Sequence, residues 1–535
     1  MSTTTAGSGQ HMIREVDWKQ VVFIAAGVPA LVLFSMGGIS ATVGSPAWLV
    51  WTISVMFGFA QSFIYAEIAG LHPSKTGGTA VHGATAWIRY SRILAPLSLW
   101  ANGLAWTPVL AIGAGLGAGY LLSIFYDSSS AIMSWQWTLA DLGFISDGLT
   151  LRINATFLIG VAIMLVVFTI QHRGILRTAQ ISTMLTIASL VPLFIVCVIP
   201  LLQGSVHGAN FQPFTPLATD NGQVVPGVWN KGGWVLFLGG LFIAAWSAYA
   251  FETSVCYMSE FKNPGRDMPR AIIASGLICI VAYVVIPVVF QGVLGTQKML
   301  DPGIYDGSGM GLALASMLNA GPTITKILVV LLFFSLIMSI ITAMAGSSRT
   351  LNQGGRDGWL PKYLSYVNAH GAPTRAMWTD FAFNLILLSM SNYLFVLAVS
   401  NCNYLIFNFL NLNAGWIHRI DNPDVKRPWR CPTWLLALGT ILAYVNAFLL
   451  GAGADVWGKG TFISGFVSAA LIIPVFAWRH YVVDKGVFPK NMYQDLLLPG
   501  ETEPGPKRAG MLPYLALLGG LASCLAGYVF FWHMG

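Results

Sequence analysis

The sequence predicts an all-α integral membrane protein with twelve transmembrane helices and a candidate thirteenth near its C-terminal end. Three observations carry that prediction. Of the 535 residues, 55% are hydrophobic and only 9% are Asp, Glu, Lys or Arg. A soluble domain carries about 25% charged residues, so this chain cannot coat a water-facing surface. Apolar runs of about 20 residues, each enough to cross a bilayer, recur from end to end, and the cations are confined to the segments between them. The composition excludes a soluble enzyme, a secreted disulfide scaffold and a nucleic-acid reader. The uninterrupted runs exclude a closed barrel, whose strands alternate apolar and polar residues over about ten positions.

Residues 1–17 are polar and form an N-terminal tail. The run after them is too long for a cleavable signal core. Spans follow over 18–43, 47–71, 97–124, 151–171 and 179–202, then over 234–260, 271–295, 327–345, 376–390 and 393–417. Runs at 434–451 and 461–481 bring the number to twelve, and 511–535 holds the candidate thirteenth. Between the last two, 482–510 is the longest polar stretch and reads as a cytoplasmic linker.

Orientation comes from the cations. Of the 28 Lys and Arg, only Arg152, Lys231, Lys298, Lys326 and Lys459 fall on the side opposite the N-terminus, and the other 23 share its side. The positive-inside rule then puts the N-terminus in the cytoplasm of a multi-pass protein of the plasma or inner membrane. A thirteenth span puts the C-terminus outside. The six cysteines lie at least 23 positions apart, five of them in apolar runs. That spacing supports neither a metal site nor a disulfide framework. No cofactor is implied.

Acidic residues at or near the spans are Glu67, Glu252, Glu260 and Asp380. Three sit close to expected ends, where water is within reach. Glu252 is the deepest, and an ionisable group at that depth is a functional candidate by default. Either it carries a proton, or it is a carboxyl paired with hydroxyl and backbone groups in the bundle. The first and sixth spans are also interrupted. Gly27-Val28-Pro29 and Ser35-Met36-Gly37-Gly38-Ile39 punctuate the first; Gly239-Gly240 and the stretch Trp246-Ser247-Ala248-Tyr249-Ala250-Phe251-Glu252 punctuate the sixth. Paired breaks in corresponding helices are the sequence pointer to a transporter's binding site. The alternative is glycine used for close helix packing. The run from Gly113 to Gly119 has neither a strand before it nor a Lys-Ser/Thr after it, so packing accounts for it better than phosphate binding.

Four motifs in register resemble the amino acid–polyamine–organocation (APC) superfamily, of amino acid permease type. They are Tyr65-Ala66-Glu67 with Pro73-Ser74-Lys75-Thr76-Gly77-Gly78; Glu260-Phe261-Lys262-Asn263-Pro264-Gly265-Arg266-Asp267-Met268-Pro269-Arg270; Ser348-Arg349 with Arg356-Asp357-Gly358-Trp359-Leu360-Pro361; and Arg427-Pro428-Trp429-Arg430-Cys431-Pro432. The resemblance implies a leucine-transporter type fold, a 5+5 inverted repeat with 18–202 as one repeat, 234–417 as the other, and 434–481 peripheral. It implies a substrate carboxylate on amides of Ser35, Met36, Gly37 and Gly38, with a register shifted onto Ala26-Gly27-Val28 as the alternative. It also implies an ammonium on the backbone of Ser247, Ala248 and Tyr249, Trp246 closing over the substrate, and an acid at Glu252. A lysine that other members keep in the fifth span is missing here. Asn102, Trp106 and the asparagines of the tenth span are further polar candidates. Ser339 and Thr342 are the hydroxyls that a Na⁺ site would use, and Glu67, Glu260, Arg349, Arg356 and Asp357 belong to the cytoplasmic gating motifs.

The function expected is therefore that of a secondary active transporter, moving an amino acid or related amine by alternating access. Proton coupling through Glu252 is the expected drive, and exchange or Na⁺ coupling the alternative. A channel lacks paired broken helices. A membrane-embedded enzyme needs a nucleophile–base pair or metal cluster, which the scattered histidines do not offer. The partners expected are a small-molecule substrate, the bilayer and H⁺ or Na⁺, without nucleic acid.

Overall fold

The computed structural model describes residues 12–534 apart from 128, 221–222, 306 and 502–504. It is built almost wholly of helix. Twelve helices among the described residues are long and apolar enough to cross a membrane. They are α1 (Trp18–Val43), α2 (Ala47–Gly70), α3 (Leu94–Phe125), α4 (Ala155–His172), α5 (Ile175–Leu202), α6 (Lys231–Glu260), α7 (Pro264–Met299) and α8 (Pro322–Arg356), then α10 (Tyr393–Asp421), α11 (Thr433–Trp457), α12 (Thr461–Val483) and α13 (Leu512–His533). The expected ninth span is the shorter helix α9, Thr374–Ser389, of 16 residues.

Although short, α9 runs the full depth of its neighbour α4 in the opposite direction. The loop before it bonds to the end of α4 (Asn368 Nδ2–H to the His172 carbonyl, 3.0 Å), and Met390 after it bridges to Leu151 before α4 begins. At the other end of the chain, the loop before α13 bonds to the last residue of α10, Ala509 N–H to Asp421 Oδ1 at 2.8 Å. Its far end lies beside Asp455 and Lys459, between α11 and α12. The basic loops thus gather on the face that holds the N-terminal strand residue Val16, which bridges to Phe261.

Helix contacts repeat between the two halves. α1 packs on α7 as α6 packs on α2, α3 packs on α4 as α8 packs on α9, and α10 packs on α3 as α5 packs on α8. This is the contact pattern of a 5+5 repeat. Five crossings separate α1 from α6, so the two run in opposite directions.

One expectation is corrected. Residues 151–154, expected to open the fourth span, are not helical. With Thr150 they form a strand paired antiparallel with Gln136–Asp141, because the β-branched Thr150 and Ile153 suit a pleated strand outside the bilayer. A second hairpin pairs Leu217–Asp220 with Gln223–Pro226. The described residues of the 482–510 segment pack against the rest of the protein. They bury Met492 and Leu496 and bond to the basic face, with Asp495 Oδ2 accepting the Ser74 hydroxyl at 2.7 Å.

α13 is held by small residues. A Cβ on Gly451 would meet the Tyr528 amide nitrogen at 2.6 Å, and one on Gly519 the Tyr444 ring at 3.0 Å. Backbones this close gain dispersion that lipid cannot replace. Gly451→Leu should force α11 and α13 apart and cost about 1–3 kcal/mol, read as a lower thermal midpoint of the detergent-purified protein.

Candidate functional site

The first helix breaks just before Gly27-Val28-Pro29, beside the alternative register on Ala26-Gly27-Val28, and not at Ser35–Ile39. Helix runs over Trp18–Ile24 and again over Gly27–Val43, with the interruption at Ala25 and Ala26. Pro29 is the cause. It has no N–H for the Ala25 carbonyl, so the Val28 N–H turns to Ala25 O at 3.1 Å. The Ile24 carbonyl thereby loses its helical donor, and the Thr342 hydroxyl of α8 supplies one at 2.5 Å. The Ser339 hydroxyl donates to Gly27 O at 2.8 Å, and the Tyr283 hydroxyl of α7 lies 2.9 Å from Val28 O.

Ser35, Met36, Gly37 and Gly38 stand inside the unbroken second segment, where helical bonds occupy their amides. The expected carboxylate cradle is not formed there. Gly37 packs flat on the Ile304–Tyr305 backbone and Gly38 on the Trp457 ring. Here glycine serves close approach, not unwinding.

The sixth helix changes character at its midpoint. α-Helix over Lys231–Ala248 passes at Tyr249 into a 3₁₀ stretch, Ala250–Glu260. Runs of that kind longer than three or four residues are uncommon and mark hinges. The Tyr283 hydroxyl also lies 3.2 Å from Ser247 O, so it stands between the two broken helices. Ser247 Oγ is buried with no partner, and Ala248 O faces Gly58. Tyr249 donates its hydroxyl to Asn446 Oδ1 at 3.1 Å. Gly239 and Gly240 remain helical and pack on Val456 and Val43.

Beside these breaks lies a small cavity of about 20 Å³, room for little more than one water. Its walls are Leu31 and Ser35 of α1, Val109, Ile112, Gly113 and Leu116 of α3, Leu336 and Ser339 of α8, and Tyr393 and Leu397 of α10, with Trp246 of α6. Among the described residues, no carboxyl or cationic side chain lines it. Trp246 is fixed by its indole N–H, which points to Ser400 Oγ at 3.0 Å and Ala105 O at 3.2 Å. Asn102 is not part of the wall; its Oδ1 accepts the Thr350 hydroxyl at 3.1 Å.

Glu252 is 2% exposed. Its Oε2 accepts the Thr79 hydroxyl at 2.9 Å and its Oε1 the Tyr404 hydroxyl at 3.4 Å. No cation pairs with it among the described residues.

Between Glu252 and the basic face the protein is sealed by paired charges. Arg349, 2% exposed, grips Glu260 with two donors, Nη2 to Oε2 at 2.9 Å and Nε to Oε1. Lys75 Nζ lies 2.6 Å from Asp357 Oδ2, joining the loop after α2 to the end of α8. Burial pushes the Asp357 carboxyl up, against the pull of Lys75. Glu67 accepts Arg419 at 2.6 and 2.9 Å and the Cys431 N–H at 2.8 Å, with Arg427 at 3.3 Å. The Arg356 carbonyl accepts the Asn491 amide at 3.1 Å. Lys75 stands in a motif read from the sequence, but its partner was not legible there. Tyr283, a lone tyrosine in an apolar run, gives no sequence signal.

A family model described as amino acid permease matches residues 16–473. The chain belongs to the amino acid permease family. Among similar proteins is the branched-chain amino acid permease BcaP of Lactococcus lactis, 23% identical over 477 residues, covering 84% of this permease and 93% of the relative. Cationic amino acid transporter 7 of Arabidopsis thaliana is 23% identical over 499 residues, covering 92% and 79%. The polyamine transporter PUT1 of Oryza sativa is 24% identical over 264 residues, covering 49% and 45%. These relatives place this permease in the APC superfamily, while their named substrates differ from one another.

Two outcomes are expected of the sealed face. Glu260→Gln leaves Arg349 buried without its countercharge and should cost about 3–5 kcal/mol, whereas Glu260→Gln with Arg349→Met should recover most of it in a thermal unfolding assay. His82 is buried, with neither ring nitrogen bonded, and burial pushes its imidazole down to about 3. Its contribution to stability is therefore whole above the unfolded value near 6.5 and is lost as pH falls from there toward 3. His82→Asn should flatten the fall of stability with pH across that window by about 1.4 kcal/mol per pH unit.

Proposed function

We propose that this permease imports amino acids with bulky apolar side chains by alternating access, driven by a proton carried on Glu252. The observation that carries the reading is the cavity beside the two breaks, walled by Leu31, Val109, Ile112, Leu116, Leu336 and Leu397 without an acidic side chain. A lysine or polyamine would bring a second cation that such a wall leaves unpaired, at a cost of several kcal/mol. An aliphatic side chain gains about 25 cal/mol for each Å² it buries there. The carbonyls of Gly27, Val28 and Ser247 offer acceptors for the α-ammonium, now held by hydroxyls of Ser339 and Tyr283. The branched-chain substrate named for one relative agrees with this choice.

Glu252 suits proton carriage by its position between cavity and sealed face and by its neutral partners, Thr79 and Tyr404. A protonated carboxyl crosses a dry path far more cheaply than a carboxylate. The basic face is cytoplasmic in this reading, and the pairs Arg349–Glu260 and Lys75–Asp357 part when it opens. A Na⁺-coupled alternative has one observation in its favour: Ser339 and Thr342 already meet the Gly27 and Ile24 carbonyls, which gathers four oxygens at the α1 break.

Uptake into proteoliposomes distinguishes these. Leucine, isoleucine and valine should exceed lysine and putrescine by at least about tenfold in kcat/KM, a difference of about 1.4 kcal/mol. An inward proton gradient should drive accumulation without Na⁺, and Glu252→Gln should abolish it. Accumulation that requires Na⁺ and is lost in Thr342→Val supports the alternative, and absence of uptake for every amino acid would sink both. Asp357→Asn should alter the rate of opening to the basic face, seen as a changed ratio of influx to efflux.

A further inference from the structure

The sequence places Asp380 near the start of its run, in reach of water. The structure buries it to 1% exposure. Its Oδ1 accepts the Thr107 hydroxyl at 2.7 Å and the Asn384 amide at 3.2 Å, and its Oδ2 accepts the Ser347 hydroxyl. Thr107 is the hinge of α3, where Leu94–Trp106 meets Pro108–Phe125. The interruption there leaves the Ala111 N–H without a helical partner, and Asn384 Oδ1 takes it at 3.0 Å. One face of α9, Asp380 and Asn384 one turn apart, therefore holds the bend of α3. Above that bend α3 supplies the cavity wall at Val109, Ile112 and Leu116. Below it, Ala105 O meets the Trp246 indole.

The charged and titratable groups on elements packed against α9 all lie elsewhere. α9 itself carries Arg375, which stacks over Tyr366. On α8 are Lys326, Arg356 and Arg349, the last bound to Glu260. α4 ends in His172, whose ring meets His370, and the strand before it holds Arg152, bonded to Gln136. The turn Lys362–Ser365 brings Lys362 and Tyr363, whose hydroxyl bonds Thr379. α3 contributes no charge, only Tyr120, bonded to Gly307 O. Among the described residues none forms an ion pair with Asp380.

We propose that Asp380 is a second proton-binding carboxyl of the transport cycle, placed so that its charge sets the bend of α3 at the cavity wall. It rests on the proton-coupled reading above. The network accepts both states. Ionised, the carboxylate receives all three donors. Protonated, its O–H donates to Ser347 Oγ, and the Ser347 proton turns to its second acceptor, the Met344 carbonyl 3.4 Å away. No polar group is orphaned in either state, but the pull on α8 changes, and with it the packing of α3 against α8. The proton comes from water on one side and returns to water on the other, so no further reactant is needed. Asp380 acts through Thr107 and is a positioning residue.

The test is the pH profile of KM and of gradient-driven uptake in proteoliposomes, between about pH 5 and pH 8, for wild type, Asp380→Asn, Asp380→Glu and Ser347→Ala. The amide imitates the protonated acid, so Asp380→Asn should show at pH 8 the KM that wild type shows at pH 5, with a flat profile between. Asp380→Glu should restore the slope. Ser347→Ala removes a donor to the ionised form and should move the midpoint up by about one pH unit, the worth of one charged hydrogen bond. A wild type with no pH dependence would overturn the proton-coupled reading together with this one. A pH-dependent wild type whose profile Asp380→Asn shares overturns the role of Asp380 alone. Should Asp380→Asn fail to purify as a monodisperse protein, Ser347→Ala decides, and an unmoved midpoint overturns the proposal.

Discussion

A helix interrupted inside a bilayer leaves backbone groups that no water can satisfy, and the architecture of this permease depends on how the break in α1 is stitched. Pro29 creates the break, and three side-chain hydroxyls close it, Thr342 on Ile24 O, Ser339 on Gly27 O and Tyr283 beside Val28 O. Two come from α8 and one from α7, so the break fixes both helices to α1. Tyr283 also lies against Ser247 O at the α6 hinge, and a single hydroxyl proton cannot serve both carbonyls at once. A ligand ammonium brings three donors, enough for both carbonyls at once.

The second constraint is electrostatic. Few charges enter the membrane region, and those that do are either paired at the basic face or left alone with neutral donors. Arg349, Lys75 and Glu67 belong to the first group. Each joins two elements far apart in sequence, so each pair reports a closed face and not merely a local fold. Removing such charges from water is expensive, and attraction between them repays it only at close, well-bonded geometry. In the proposed cycle, opening the face trades protein contacts for hydration at each charge. Glu252 and Asp380 belong to the second group. A carboxyl with only hydroxyl and amide partners has no countercharge to hold it ionised, and the proposed proton-carrying roles rest on that difference from the ion pairs of the basic face.

Much of this was legible in the sequence, and the limits have physical reasons. Span positions follow from hydropathy because the bilayer is a one-dimensional filter on apolar length, and Glu252 stood out because it lies far from either end of its run. Asp380 did not, because distance along a helix says nothing of what packs beside it; Thr107 and Ser347 come from 273 and 33 residues away. Glycine misled for a related reason. Gly37, Gly38, Gly239 and Gly240 look like helix breakers, but each is a point of backbone contact, with Ile304, Trp457, Val456 and Val43. The break that occurs was marked by Pro29 two residues after Gly27, and its consequence is visible only when α8 supplies the hydroxyls. Residues 151–154 fall within the apolar run of the fourth span because apolar length alone does not distinguish the end of a strand outside the membrane from the first turn of a helix.

The two groups of buried charge meet in α3 and α8. Thr350 of α8 binds Asn102 below the α3 bend, Ser347 binds Asp380 at its level, and Leu336 and Ser339 face α3 across the cavity. Along one face of α8, then, lie the contact to Asn102, the contact to Asp380 and two residues of the cavity wall. Arg349, on the same helix, fastens the end of α6. A change in the charge at Asp380 and a change in occupancy of the cavity act on the same rigid body, since α8 is continuous from Pro322 to Arg356. Proton coupling as proposed then needs no chain of side-chain rearrangements. It needs only that one stiff helix cannot satisfy its partners on α3, α6 and α9 in two positions at once.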